Sequence, residues 1–210
     1  GIARTDTITA RFGGLFAFQG HCMSMKVTAA PTVEPATAAE CKLVARLTAS
    51  GLDSLITSDY IPAARRLCEQ RTQRYLTTQT VTLTLEDWPR SDCIEIPRGP
   101  ILSVTSIVYR DTTGSSQTLS SSWYEFKQVS DSVPPEISLL PGYTWPSLGD
   151  YDDAVIVTMQ AGYGASASSI PHDLRMWVMA AAAEMIRTGS FDIPRDFCAG
   201  LLDGQSIVSV

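Results

Sequence analysis

No apolar run in this 210-residue chain exceeds eight residues, Met176 to Ala183. A bilayer-spanning helix needs roughly twenty, so the sequence contains no transmembrane helix. Basic residues are scarce as well: sixteen Lys plus Arg face twenty-two Asp plus Glu, a formal net charge of −6. A protein that grips nucleic acid through its phosphates normally carries the opposite balance. There are only two histidines, His21 and His172, and the five cysteines (22, 41, 68, 93 and 198) include no CxxC pair. Odd in number and irregular in spacing, the cysteines fit neither a disulfide framework nor a zinc site, and the compartment reads as reducing. Cys41 and Cys68 fall on apolar helical positions, as small hydrophobes do.

What is present is enough for a packed core, with 44% hydrophobic and 18% charged residues. The length suits one substantial domain or two small ones. Charge is polarised along the chain. Residues 1–105 carry eleven basic and ten acidic side chains, net +1, whereas residues 106–210 carry five and twelve, net −7. Such polarity suits a protein that stacks head to tail on copies of itself or on a partner.

The pattern divides the chain into four stretches. Residues 1–25 read as an N-terminal extension, either from an upstream start codon or as an arm that orders on a partner. Residues 26–78 read as helical. Thr37-Ala38-Ala39-Glu40 has the form of a capping box, followed at helical spacing by Cys41, Val44 and Leu47, with Gly51 as the stop. A second helix is expected from Asp59 to Tyr75, with Asp59 as cap and Pro62 in the first turn. Over residues 79–162 the period changes from 3.6 to 2. Thr80 to Leu85 alternates Thr with Val81, Leu83 and Leu85, and further strands follow at 94–96, 101–110, 117–119, 124–129, 136–140 and 154–159. Residues 163–210 return to helical spacing, in a helix over 171–188 that is apolar around nearly its whole circumference. Trp177 and Met179 lie on different faces of it, so it needs cover on both sides, from other helices or a neighbouring subunit. The fold class is α+β, with terminal helices packed together and an antiparallel β-domain inserted between them.

Catalytic constellations are missing. His172 and Asp173 are adjacent, but neighbours on a helix do not face one another and no Gly-x-Ser-x-Gly elbow exists. Asp150, Asp152 and Asp153 lack EF-hand spacing, and Ala161 to Ser169 lacks the Gly-Lys-Ser/Thr ending of a phosphate loop. Trp88, Trp123, Trp145 and Trp177, with Tyr124, Tyr143 and Tyr151, suggest a sugar platform, although core and hairpin packing is the commoner use of such residues. The arginine-rich face of the second helix, Arg65, Arg66 and Arg74, suits a phosphate or an acidic partner; a solvated surface is its plainer reading. Neither enzyme chemistry, nor a cofactor, nor a metal is expected.

One ordered set of motifs is recognisable as a whole. It runs through Arg71-Thr72-Gln73-Arg74-Tyr75-Leu76, Ile96-Pro97-Arg98-Gly99-Pro100-Ile101-Leu102-Ser103-Val104, Tyr143-Thr144-Trp145-Pro146, Ala161-Gly162-Tyr163-Gly164 and Ile170-Pro171-His172-Asp173-Leu174. Over roughly residues 26–202 the chain resembles the head–tail connector, or adaptor, family of tailed double-stranded DNA phages and gene-transfer particles. The resemblance implies a non-enzymatic virion protein, assembled in the host cytoplasm and located in the neck. It implies a homo-oligomeric ring, usually of twelve copies, under the portal protein, receiving a stopper or tail-completion protein and extending a channel through which DNA passes without specific binding. It implies portal contact by the C-terminal segment, here Leu201, Leu202, Ile207 and Val208. Arg65, Arg66, Arg74, Trp177 and Met179 are the expected subunit or partner contacts. The alternatives are another neck protein, such as a stopper or head-completion protein, and a non-enzymatic β-rich ligand-binding module.

Overall fold

The computed structural model describes residues 15–18, 21–48, 51–130 and 133–204, with backbone alone for residues 15–18, 21 and 22. The strands are β1 (Leu15–Phe18), β2 (His21–Ala29), β3 (Gln79–Leu85), β4 (Cys93–Glu95), β5 (Ile101–Arg110), β6 (Ser116–Thr118), β7 (Tyr124–Lys127), β8 (Glu136–Leu139) and β9 (Val155–Ala161). Six of them form one antiparallel sheet in the order β1-β2-β3-β9-β5-β6, and β4-β8-β7 form a second antiparallel sheet. In β3 and β9 alternate residues are fully buried, Val81, Leu83, Val157 and Met159 among them. These side chains share one core with Ile94 and Ile137 of the smaller sheet, so the two sheets enclose it between them.

The expected strands over residues 79–162 are all present within a residue or two. The sheet also crosses the expected border at 25/26. β2 pairs with β3 from Met23↔Leu85 to Ala29↔Thr80, and Met23 is buried in the β core. The sequence signal for this strand is thin, because Lys26, Val27 and Thr28 lie exposed and so lack the one-sided burial that makes a strand legible.

The helices are α1 (Ala38–Ala45), the short turn α2 (Asp53–Leu55), α3 (Ile61–Thr72) and α4 (His172–Thr188). The capping box of α1 is formed: the Glu40 amide donates to Thr37 Oγ1 at 3.3 Å, and the Thr37 amide donates to the Glu40 carboxylate at 2.9 Å. The helix ends at Arg46, which adopts a left-handed conformation, five residues before Gly51. Val44 and Leu47, expected on its inner face, are exposed while Cys41 is buried. Asp59 does not cap α3, because a π-helical stretch, Ile56–Tyr60, runs from α2 straight into it and Asp59 lies within that stretch. The second helix therefore begins earlier than its caps suggested and ends earlier, at Gln73 in a left-handed conformation. Helix α4 packs against both α1 and α3, with Leu174, Trp177, Val178 and Ala181 buried in a second core beside Ile56, Ile61 and Cys68. Its all-round apolar character is thus met largely by the chain's own helices.

Candidate functional site

The two cores meet at a polar joint built on α3. Arg65 Nε donates to Glu34 Oε2 at 2.8 Å, and its Nη1 donates to Glu69 Oε2 at 3.2 Å. The other Glu69 oxygen accepts from the Leu76 amide at 3.0 Å and from Gln79 Nε2 at 2.9 Å, which ties the end of the helical part to the first residue of β3. Arg98 Nη2 donates to the Glu69 carbonyl at 2.8 Å, and its guanidinium lies 4.6 Å from the centre of the Tyr75 ring. Burial pushes the Glu69 carboxyl above its ordinary range, and the Arg65 charge only partly opposes this.

This joint corrects two of the expected contact residues. Arg65 is 4% exposed and Arg74 1% exposed, and Arg74 donates to the Tyr163 hydroxyl at 2.7 Å. Both are held chiefly within the fold, and only an edge of Arg65 reaches the surface. Of the three arginines named from the sequence, Arg66 alone is exposed. Nothing in the local spacing separates it from Arg65, because the decisive partner of Arg65, Glu34, lies 31 residues away.

Trp177 and Met179 are corrected in the same sense. Trp177 is fully buried, its Nε1 donates to the Phe197 carbonyl at 3.0 Å, and Arg71 stacks over its ring at 5.0 Å. Met179 is 6% exposed within the helical core. Leu201 and Leu202 are half-buried against that core at the turn Ala199–Leu201, while Ile207 and Val208 lie outside the described residues.

Beside the joint is a groove of about 520 Å³ between the end of β2, α3 and the start of β3. Arg65, Arg66, Arg98, Glu69 and Tyr75 are among its lining residues. At the opposite end of the β3–β9 pair lies the loop holding Asp150, Asp152 and Asp153. It is held by Arg110, which pairs with Asp153 at 2.9 Å and covers the Tyr151 ring at 5.0 Å. Asp153 is thus engaged with a basic residue, while Asp150 and Asp152 are exposed. Among the described residues no group of three or more His, Cys, Asp or Glu is placed to hold a metal.

A set of exposed apolar residues at the start of the helical part is not foreshadowed by the sequence pattern. Leu43 is 78% exposed, and Val44, Leu47, Leu52 and Leu55 are also exposed, on α1 and the turn that follows it. Lys42 of α1 pairs with Asp53 of α2 at 2.6 Å, which holds these two segments together. The available signal was the shortness of α1: eight residues carrying Cys41, Leu43 and Val44 cannot turn all three toward one core.

Cys41, Cys68 and the stacked aromatic side chains are engaged in packing, whereas Cys198 and His172 are exposed. Burial pushes the Cys41 thiol up to about 11 and the Cys68 thiol up to about 12, which leaves them protonated and unreactive at neutral pH. Trp88 stacks on Trp145 at 4.4 Å, and Trp123 stacks on Tyr143 at 5.1 Å. In the Ala161–Gly164 loop a side chain at Gly162 would meet the Thr77 carbonyl oxygen at 2.4 Å, and its φ is +119°. Close passage of two backbones therefore accounts for that glycine without a phosphate.

No family profile matches the chain, and no curated protein matches it. Solved structures do. A chain from the neck of an empty gene transfer agent (GTA) particle, computed with C6 symmetry, superposes with a TM-score of 0.74 at 24% identity, covering 89% of this chain and 96% of that one. A chain from the virion of a native GTA particle gives 0.71 at 25% identity over 89% and 96%. A chain from the neck of a native GTA particle, computed with C12 symmetry, gives 0.64 at 23% identity over 87% and 97%. The fold is therefore shared almost end to end with these chains.

Proposed function

We propose that the protein is a structural subunit of the neck of a gene-transfer or tailed-phage-like particle, placed as the adaptor between portal and tail. The observation that carries this reading is the near-complete structural match to chains of GTA necks and virion, at matched length. The adaptor position within the neck rests on the ordered motifs from Arg71 to Leu174. Those necks were computed with C6 and C12 symmetry, which supports a ring of copies. In that ring the channel would be extended by a net acidic protein that surrounds DNA without adhering to it. The partners are the portal on one side and a stopper or tail-completion protein on the other.

In this role the chain does its work by shape and contact. The joint at Glu69 fixes the helical part against the sheets, and segments at the periphery reach other proteins. The C-terminal segment is the proposed portal contact, with Leu201 and Leu202 at its root and Ile207 and Val208 toward its end. Truncation after Gly204 leaves the fold intact and abolishes docking on the portal; docking at the wild-type level would refute that assignment.

The test of the reading as a whole is immunogold electron microscopy of lysate from the producing cells, with an antibody against residues 79–162. Label at the head–tail junction is expected. Intact particles without label, with a control epitope shown to be accessible after disruption, would overturn the neck assignment in favour of the ligand-binding module.

A further inference from the structure

We infer that the groove beside the polar joint is one half of a head-to-tail contact between copies of this chain, and that the acidic loop around Asp150 and Asp152 of the next copy is its occupant. The inference rests on the ring reading above and names the surfaces that make it.

The groove is a basic site on an acidic protein. Arg65, Arg66 and Arg98 line it against one lining carboxylate, Glu69, with Glu34 behind Arg65. The Arg65 charge is largely taken up by Glu34 and Glu69, which leaves Arg66 and Arg98 to face an incoming anion. Arg98 is fixed in place by the Glu69 carbonyl and the Tyr75 ring, and Arg66 projects from α3 as an exposed side chain. A cation held in position by the fold loses less entropy on pairing than a freely rotating one.

The loop is equally preformed and opposite in sign. The Gly149 amide donates to the Arg110 carbonyl at 3.1 Å, and the Ala154 amide donates to the Tyr151 carbonyl at 3.2 Å. With Asp153 paired to Arg110, the loop presents Asp150 and Asp152 outward on a braced turn.

Placement decides the kind of contact. The groove adjoins Gln79, which pairs with Ala161, whereas the acidic loop precedes Val155, which pairs with Leu85. The two surfaces therefore sit at opposite ends of a seven-residue strand pair, roughly 20 Å apart at about 3.3 Å per residue. One protomer cannot join them to each other, so the contact lies between copies; a two-fold pair would make it reciprocally, and the ring proposed above makes it head to tail. A repeated groove-to-loop contact is heterologous, the type that closes into a ring when its rotation divides the circle.

The test uses the full chain and two exposed positions, Arg66→Glu and Asp152→Lys. Sedimentation over concentrations up to the millimolar range measures self-association of the wild type, each variant alone and their equimolar mixture. The wild type is expected to associate, and each variant alone to associate more weakly by roughly fivefold or more, since every contact then sets like charge against like. The mixture is expected to recover, because alternating copies restore an opposite-charge pair at every contact. Recovery also excludes misfolding as the cause of the loss.

Wild type that stays monomeric, single variants that associate as the wild type does, or a mixture that fails to recover would each overturn the inference. So would a duplex oligonucleotide that binds the wild type and not Arg66→Glu, since the groove would then be a nucleic-acid site. Self-association with the predicted charge pattern, in a protein that immunogold fails to find in the neck, would remove the neck assignment and leave this contact standing.

Discussion

The β core and the helical core are stabilised alike and assembled differently. In the β core, side chains alternate inward from strands far apart in sequence, and outward-facing residues such as Thr82 and Thr158 are only partly covered. In the helical core, α4 is buried on most of its circumference by α1, α3 and the segment carrying Ile193 and Phe197. Between the two lies a seam of buried polar groups, Arg65, Glu69, Thr72, Arg74, Thr77 and Gln79. Apolar burial holds each half together without strong directional preference. The angle between the halves is instead set by hydrogen bonds, whose geometry is directional. In the proposed ring that angle has to be the same in every copy.

Breaking the seam should cost most. Glu69→Ala removes the acceptor for the Leu76 amide and Gln79 together and takes from the buried Arg65 guanidinium one of its two carboxylate partners, leaving Glu34. A loss of about 3–5 kcal/mol is expected in chemical denaturation. A loss below about 1 kcal/mol would show that the seam is not what couples the halves. The cores themselves can be compared by Leu83→Ala in the sheet and Leu174→Ala in α4, both fully buried. Each should cost about 2–5 kcal/mol. If far-ultraviolet and tryptophan signals shift together in both variants, the halves unfold as one; separate transitions would break the coupling that the seam implies.

Two smaller effects sharpen the contrast. Thr37→Ala deletes the side-chain half of the capping box and should cost about 1 kcal/mol, felt by the helical half alone in hydrogen exchange. Uniform loss of protection across both halves would contradict this. In the β half, Asp111 accepts from the Thr113 hydroxyl, Gln117 and the Ser115 amide, and these bonds, led by Thr113, hold its carboxyl down to about 2 from 3.8. A depressed folded-state value contributes stability above the ordinary carboxylate range and loses it as pH falls from near 3.8 toward 2. Asp111→Asn should therefore flatten the acid limb of the stability curve in that window. An unchanged limb would remove Asp111 from the account.

What could be read from the sequence followed the same division. Alternation made β3 and β9 legible, and Thr37 with Glu40 marked the start of α1, because these signals are local. Strand β2 was hidden because its partner, β3, begins fifty residues after it ends and four of its residues, Lys26 to Ala29, are exposed. The arginines were legible as a cluster but not as individuals. Arg65 and Arg66 are neighbours in sequence, yet one is buried on Glu34 and Glu69 and the other is solvated, a difference created by tertiary packing. The apolar circumference of α4 correctly asked for cover; that the chain supplies most of it depends on α1 and α3, which sit more than a hundred residues earlier.

The central position of β3 also sets a timetable. Its partner on one side, β2, has already been synthesised when β3 appears, but its partner on the other, β9, follows with a separation of 70 residues at Leu85↔Val155 and 82 at Gln79↔Ala161. At a synthesis rate of about 5–20 residues per second, the unpaired edge of β3 waits roughly 4–16 s on the ribosome for its neighbour. During that interval Val81, Leu83 and Leu85 have no completed core to enter. The nascent chain is then most open to pairing with other nascent chains, and slower translation across residues 86–154 would lengthen its exposure.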